Sequence, residues 1–346
     1  MLAGHEVEAG QRARLELPVA ELSTHVPLTM PVHVVNGRRE GPRLFVSAAL
    51  HGDELNGVEI VRRVMKLPAL KNLRGAVIAV PIVNVPGFLN LSRYLPDRRD
   101  LNRSFPGSAR GSLAARIAKL FVDEIMSSAT CGIDLHTGSF HRVNYPQIRG
   151  NLDDPEVERM ARAFGVPLLL NAGFREGSLR AAAHDLGVAV LVYEAGEALR
   201  FDEAAIRAGV MGVTRVMRAL GMLPARKRAR TMREPPVLRS SRWVRAPCSG
   251  VLRVSRAEGD RVRRGQILAV VSDPLGEDET EVAAPTDGVI VGRTNLPLVH
   301  EGDALFNIGL TEGTQIVARA LDAFDPIEDY ESGVTADLAR EELPIV

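Results

Sequence analysis

His51 and Glu54 stand three positions apart in SAALHGDELNG (residues 47–57), where the apolar run RLFVSAAL gives way to the helical spacing of VEIVRRVMKL. A turn from strand to helix needs a glycine and a capping side chain. An imidazole and a carboxylate at this spacing exceed that need. Zinc is held by histidine nitrogen and carboxylate oxygen, and a catalytic zinc takes three protein ligands and keeps a fourth position open. Gly52 permits the sharp backbone path that would bring both side chains to one point. Taken alone, the motif reads more simply as a solvated turn, with Asp53 and Asn56 as helix-capping residues.

Three further stretches supply what a hydrolytic site would need. CGIDLHTGS (131–139) is an apolar strand ending in Asp-Leu-His. His136 is the candidate third ligand, and Asp134, on the same strand face, is placed to orient a histidine from behind. SRYLPDRRDLNRSFPG (92–107) is dense in arginine, whose planar fork suits a carboxylate and can polarise a carbonyl oxygen. Arg98 and Arg99 read as solvated surface, but Asn102-Arg103 beside Phe105-Pro106-Gly107 does not. VAVLVYEAGE (188–197) puts Glu194 at the end of a strongly apolar strand, where a carboxylate is costly unless partnered. That is the placement expected of a water-activating general base.

Such residues need elements that deliver several strand ends to one place. From about residue 43 to 222, short apolar runs alternate with longer helical patterns, which predicts an α/β domain built on a largely parallel sheet. Ligands bind such sheets beyond the carboxyl ends of the strands. Residues 11–46 alternate apolar and polar and read as strands joined by turns. The expected organisation is a catalytic domain over 1–223, a connector over 224–242, a small all-β barrel-like domain over 243–320 and an acidic tail over 321–346. The connector is rich in Arg, Lys and Pro but lacks interleaved aromatics, so a solvated link is expected in preference to a nucleic-acid patch.

The β region repeats internally. APCSGV (246–251) returns as APTDGV (284–289), and each copy carries a later Gly-Asp turn before an apolar strand. Two such halves resemble biotinyl and lipoyl carrier domains. A carrier domain presents a lysine on the hairpin between its halves; here the hairpin reads DPLGEDETEV, and no lysine follows Lys227. The module is therefore expected to be structural, an oligomerisation surface or a lid.

The order HGDELNG, DLNRSFPG, DLHTGS, YEAGE resembles the succinylglutamate desuccinylase/aspartoacylase family, within the zinc carboxypeptidase-like fold. The motifs span roughly residues 43–200, and the lysine-less barrel, similar to that of some bacterial members, extends the likeness to about residue 310. The resemblance implies His51, Glu54 and His136 as ligands of one zinc ion per subunit. It implies Glu194 as the general base that activates the attacking water and then protonates the leaving amine. Arg93 would polarise the scissile carbonyl, and Asn102 and Arg103 would bind the substrate's carboxylate. Arg180, in SLRAAAHDLG, would be a further substrate-binding arginine, though its spacing to Glu194 is looser than the family's. Arg142 and Asn144, in HRVNYP, are pocket candidates; His141 reads as either pocket or surface.

The implied activity is zinc-assisted hydrolysis of the acyl amide of a small N-acyl amino acid. Its rivals are a metallocarboxypeptidase acting on peptides and an inactive metal-binding regulator. Lys+Arg and Asp+Glu both total 43, so no global field draws the chain to nucleic acid or an acidic membrane. No apolar run approaches the length of a membrane span, the first residues lack the pattern of a signal peptide, and Cys131 and Cys248 read as separate reduced thiols, all of which fits a cytoplasmic enzyme, compatible with a homo-oligomer.

Overall fold

The computed structural model describes residues 2, 4–225, 234–310, 314–327 and 330. Three strands, β1 (Arg12–Glu21), β2 (Pro27–Asn36) and β3 (Arg39–Ala48), precede α1 (Asn56–Lys66), β4 (Arg74–Val80), α2 (Val85–Leu89) and α3 (Leu113–Leu120). Then come β5 (Cys131–Gly138), β6 (Arg142–Gly150), α4 (Pro155–Phe164), β7 (Leu168–Asn171), α5 (Leu179–Asp185), β8 (Ala189–Glu197) and α6 (Glu203–Ala219). The C-terminal part adds β9 (Val237–Leu238), β10 (Ser240–Arg245), β11 (Gly250–Val254), β12 (Arg261–Val262) and β13 (Ile267–Ser272). It ends with β14 (Glu279–Ala283), β15 (Gly288–Thr294), β16 (Leu298–Val299), β17 (Ala304–Leu310) and α7 (Thr314–Asp322).

The α/β reading holds. The main sheet is mixed, in the order β1-β2-β4-β3-β5-β8-β6-β15-β17-β10. Its centre, β4-β3-β5-β8, is parallel and the flanking pairs are antiparallel. Strand β3 shows why the centre is parallel. Leu44 and Val46 join the core under α1, α4 and α6, while Phe45 joins the opposite core with α3 and α5. A strand buried on both faces has to be apolar throughout, as parallel strands between helix layers are.

Each strand-end turn is held by close packing. A Cβ on Gly52 would lie 2.0 Å from the Gly87 carbonyl carbon, so glycine is required there for close approach to the α2 segment. The unusual torsion falls three residues earlier, where Ala49 closes β3 with φ of 47°. The capping expectation needs correction: α1 starts after Leu55 with no side-chain cap. Asn56 instead donates to the Ala195 carbonyl and accepts from the Asp202 amide, tying α1 to β8 and the start of α6. Asp53 Oδ1 is buried without a hydrogen-bond partner among the described residues.

The internal repeat has a structural counterpart. Each copy enters a strand at its Gly-Val pair, Gly250 into β11 and Gly288 into β15. A Cβ on either glycine would press on the backbone of the next strand, at 2.3 Å from the Ser272 oxygen and 2.4 Å from the Gly309 oxygen. The copies interlock: β12 of the first pairs with β15 of the second, and β16 of the second pairs with β11 of the first. A shared core forms around Leu252, Leu268, Ile290 and Phe306. The module is also continuous with the main sheet, because β15 pairs with β6. Gln147, fully buried, donates to the Val291 carbonyl across that seam. Strands β9 and β10 begin within the stretch read as a connector, of which 226–233 lie outside the described residues, as does most of the tail beyond 327.

Candidate active site

Strands β3, β5 and β8 run in register, so their carboxyl ends open at one edge of the sheet, and His136 is the register partner of Glu194. His51 and Glu54 leave the turn after β3, and their side chains are buried with that of His136. Their donor atoms all lie within 4.8 Å of one another. His51 Nδ1 is 2.8 Å from Glu54 Oε1, and His136 Nδ1 is 2.8 Å from Glu54 Oε2. The outer face of each ring meets another carboxylate: His51 Nε2 is 3.1 Å from Asp100 Oδ1, and His136 Nε2 is 2.7 Å from Asp134 Oδ2. Asp134 is itself held by the Ser47 hydroxyl at 2.7 Å.

This donor set fits zinc. Carboxylates behind both imidazoles fix the rings with Nε2–H outward, which leaves each Nδ1 lone pair for a cation beside an ionised Glu54. Burial opposes charge on all three groups, yet their mutual attraction wins. Glu54 is held well below the usual carboxylate range by the two histidines, and both imidazoles are raised by the carboxylates around them. Asp53, next in the chain but outside this circle, is raised by burial and by the charge of Glu54.

Arg93 reaches the same cluster. It donates to Glu54 Oε1 at 3.1 Å and to Asp100 Oδ2 at 3.0 Å, with Phe140 under its guanidinium. Asp100 also accepts from the Asn102 amide, so one carboxylate organises His51, Arg93 and the turn into DLNR. Asn102 Oδ1 accepts from the Leu179 amide and pins that turn to α5. Arg103 donates to the carbonyl of Asn102.

Glu194 sits on β8, its Oε2 accepting from Asn144 Nδ2 at 2.7 Å. Arg180 donates to the carbonyls of Ala172 and Gly173 and stacks on Phe174. Arg142 lies over the Trp243 ring. Every residue singled out from the sequence as catalytic, substrate-binding or metal-ligating lines a single cleft of about 220 Å³. His141 is not among the lining residues and stands half-exposed at 3.8 Å from Glu197.

The site also depends on residues that sequence reasoning missed. Asp100, which stands behind the cleft wall and is not among its lining residues, was visible within DLNR but had no evident role until His51 and Arg93 met it. Other missed residues line the cleft itself. Arg149 and Arg175 had no motif around them. Trp243 arrives from β10, carried by pairings that run from β10 through β17 and β15 to β6.

Residues 40–220, just over half of the 346, match the succinylglutamate desuccinylase/aspartoacylase catalytic domain. The chain belongs to this family. Among relatives, the N-alpha-acetyl-L-2,4-diaminobutyric acid deacetylase of Halomonas elongata is 28% identical over 315 residues, covering 87% of this chain and 91% of the relative. The product-bound ectoine utilization protein EutE (DoeB) of Ruegeria pomeroyi superposes with a TM-score of 0.79 at 22% identity, over 89% of this chain and 98% of that one. A succinylglutamate desuccinylase from Silicibacter sp. gives 0.77 at 23% identity, over 87% and 95%. Both alignments cover more of the chain than the 181 residues of the catalytic-domain match, so the shared fold extends beyond that domain. No helix among the described residues is long and apolar enough to cross a membrane.

Proposed function

We propose that the chain is a zinc-dependent deacylase that hydrolyses the acyl amide of a small N-acyl amino acid or a related carboxylate-bearing compound. One observation carries this reading: His51, Glu54 and His136 converge at the strand ends of a cleft that Glu194 also lines. When bound, zinc supplies a Lewis acid for the scissile carbonyl and a lowered pKa for the attacking water.

The remaining chemistry falls to side chains. Asn144 occupies Oε2 of Glu194, which leaves Oε1 to take a proton from water and return it to the leaving nitrogen. Arg93 offers N–H donors beside the ligand set, and such a donor aimed at a developing oxyanion is worth about 3 kcal/mol. Arg103, with the side-chain Nδ2 of Asn102, is the anchor for the substrate's carboxylate. Arg142 and Arg180 complete the wall. Asn144, read from the sequence as a pocket residue, acts as a positioning residue for Glu194.

Size supports an amino-acid substrate over a peptide. The cleft of about 220 Å³ falls below the roughly 300–1,000 Å³ usual for drug-sized ligands. The named substrate of the Halomonas elongata relative, an N-acetylated amino acid, belongs to the same class. The test is amine release from a panel of N-acyl amino acids and short peptides, with chelator-treated and zinc-reloaded protein. Hydrolysis of N-acyl amino acids that chelation abolishes and zinc restores is expected. Zinc binding with no hydrolysis of any N-acyl compound, or turnover of peptides alone, would refute it.

A further inference from the structure

The turn from β5 to β6 leaves the cleft at Ser139, and its next two residues, Phe140 and His141, are not among the lining side chains. The Arg142 amide donates to the Ser139 carbonyl at 3.2 Å, closing a four-residue turn with Phe140 and His141 at its centre. Their φ values are 54° and 57°, both left-handed. Such positions are ordinarily filled by Gly, Asn or Asp, because a larger side chain there crowds the backbone. A phenylalanine and a histidine in succession are a costly choice. Strain of this kind gathers where function needs a fixed geometry.

The turn is held from two sides. The Ala198 amide donates to the Gly138 carbonyl at 3.0 Å, and the Asn295 amide, just after β15, donates to the His141 carbonyl at 2.8 Å. Asn295 Nδ2 also donates to the buried Glu197 at 2.8 Å, which ties this grip to β8. The result is the position of one ring. Phe140 stands half-exposed, 6.1 Å from the Tyr94 ring, with its centroid 5.6 Å from the Arg93 guanidinium carbon. Arg93 already commits N–H donors to Glu54 and Asp100. A third carboxylate would fix it more firmly but would occupy another N–H. A ring attracts the guanidinium through its face and leaves the donors at its edge free.

We infer that Phe140 is a positioning residue for Arg93, holding the guanidinium by its face so that an N–H stays available to the scissile carbonyl. This rests on the deacylase reading above, in which Arg93 serves that carbonyl. The left-handed turn carries the ring to its place, and the C-terminal strands, through Asn295, keep the turn in that conformation. A half-exposed phenylalanine that only packed against its neighbours would have no link to the chemistry of Arg93.

Kinetics and stability test this separately. The kinetic substrate is the N-acyl amino acid of the panel above that the zinc-loaded full-length protein turns over fastest. Phe140→Ala should lower its kcat about three- to tenfold and leave KM within about twofold. Phe140→Leu, which keeps an apolar cover but no ring, should fall nearly as far, and Phe140→Tyr should stay within about twofold of wild type. On an Arg93→Met background, Phe140→Ala should lower kcat by less than about a further twofold. In urea unfolding, the cycle of Phe140→Ala and Arg93→Met should show coupling of about two- to fivefold in the unfolding constant. Phe140→Gly should melt about 1–3 °C above Phe140→Ala, because glycine adopts a left-handed φ without strain. If Phe140→Ala fails to fold, Phe140→Leu carries the same comparisons. An undiminished fall in kcat on the Arg93→Met background, a change in KM alone, no coupling in unfolding, or a glycine variant that melts lower overturns the inference. If no N-acyl amino acid of the panel is hydrolysed while the unfolding cycle still couples the two residues, the deacylase reading fails and the hold of Phe140 on Arg93 stands.

Discussion

Asn144 Nδ2 donates to Glu194 Oε2 across 2.7 Å, a side-chain bond from β6 to β8 at the point where those strands lose register. Gly292 on β15 makes room for it, since a Cβ there would lie 2.6 Å from Asn144 Oδ1. Asn144→Ala should therefore lower kcat by about 10–100-fold, the range for partners that orient a reactive group, and leave KM nearly unchanged. Steady-state kinetics check this; a rise in KM at constant kcat would make Asn144 a substrate contact instead.

Glu194→Gln keeps the shape and the Asn144 contact but cannot take a proton. Zinc content should stay at one per chain while kcat falls by about 10²–10⁴-fold. Metal analysis alongside turnover separates the two effects, and near wild-type rates would remove Glu194 from the base role.

Asp134 and Asp100 stand behind the two imidazoles. Asp134→Asn should weaken zinc binding by about 10–100-fold, read by competition with a chromogenic chelator. Asp100→Asn should weaken it similarly and also lower turnover at saturating zinc, because Asp100 holds Arg93 as well. Unchanged affinity in both variants would mean that these carboxylates do not support metal ligands.

Trp243→Ala removes the face on which Arg142 rests, at the wall contributed by the C-terminal strands. KM should rise several-fold, consistent with an exposed cation–π contact of about 0.5–1 kcal/mol, with kcat little affected. An unaffected KM would show that this wall does not meet the substrate.

Arg63, buried in α1, donates to Glu59 and to both oxygens of Glu203. Burial alone would raise these carboxyls, but hydrogen bonds from Arg63, Arg62 and Arg207 hold both below the ordinary glutamate value. A carboxyl depressed on folding stabilises above its unfolded pKa of about 4.3, and the contribution is lost as pH falls through the depressed value. Arg62 and Arg207 keep one partner on each carboxylate, so Arg63→Met should cost about 1.5–3 kcal/mol at pH 7 and flatten the loss of stability below about pH 5. Urea denaturation across pH measures both, and an acid limb as steep as that of wild type would count against the ion-pair account.

The sequence by itself determined which residues could do chemistry and what kind of sheet would present them. His51, Glu54, His136 and Glu194 were legible because a polar group at the end of an apolar strand stands out within a few residues of chain. The repeat was legible because its two Gly-Val entries meet the same steric demand. Asp53 and Asn56 misled because a helix start looks alike whether its polar side chains cap it or tie it to a distant element, as Asn56 does. Only the tertiary structure decided that Asp100 joins His51 to Arg93, that Arg149 enters the cleft with an Nε–H unmet among the described residues, and that Trp243 from the C-terminal strands walls a cleft otherwise lined by residues 51–194. The physical reason is range. Periodicity and side-chain chemistry act over a turn or a strand, whereas these contacts depend on which edges of a sheet pair after some hundred residues of intervening chain have folded.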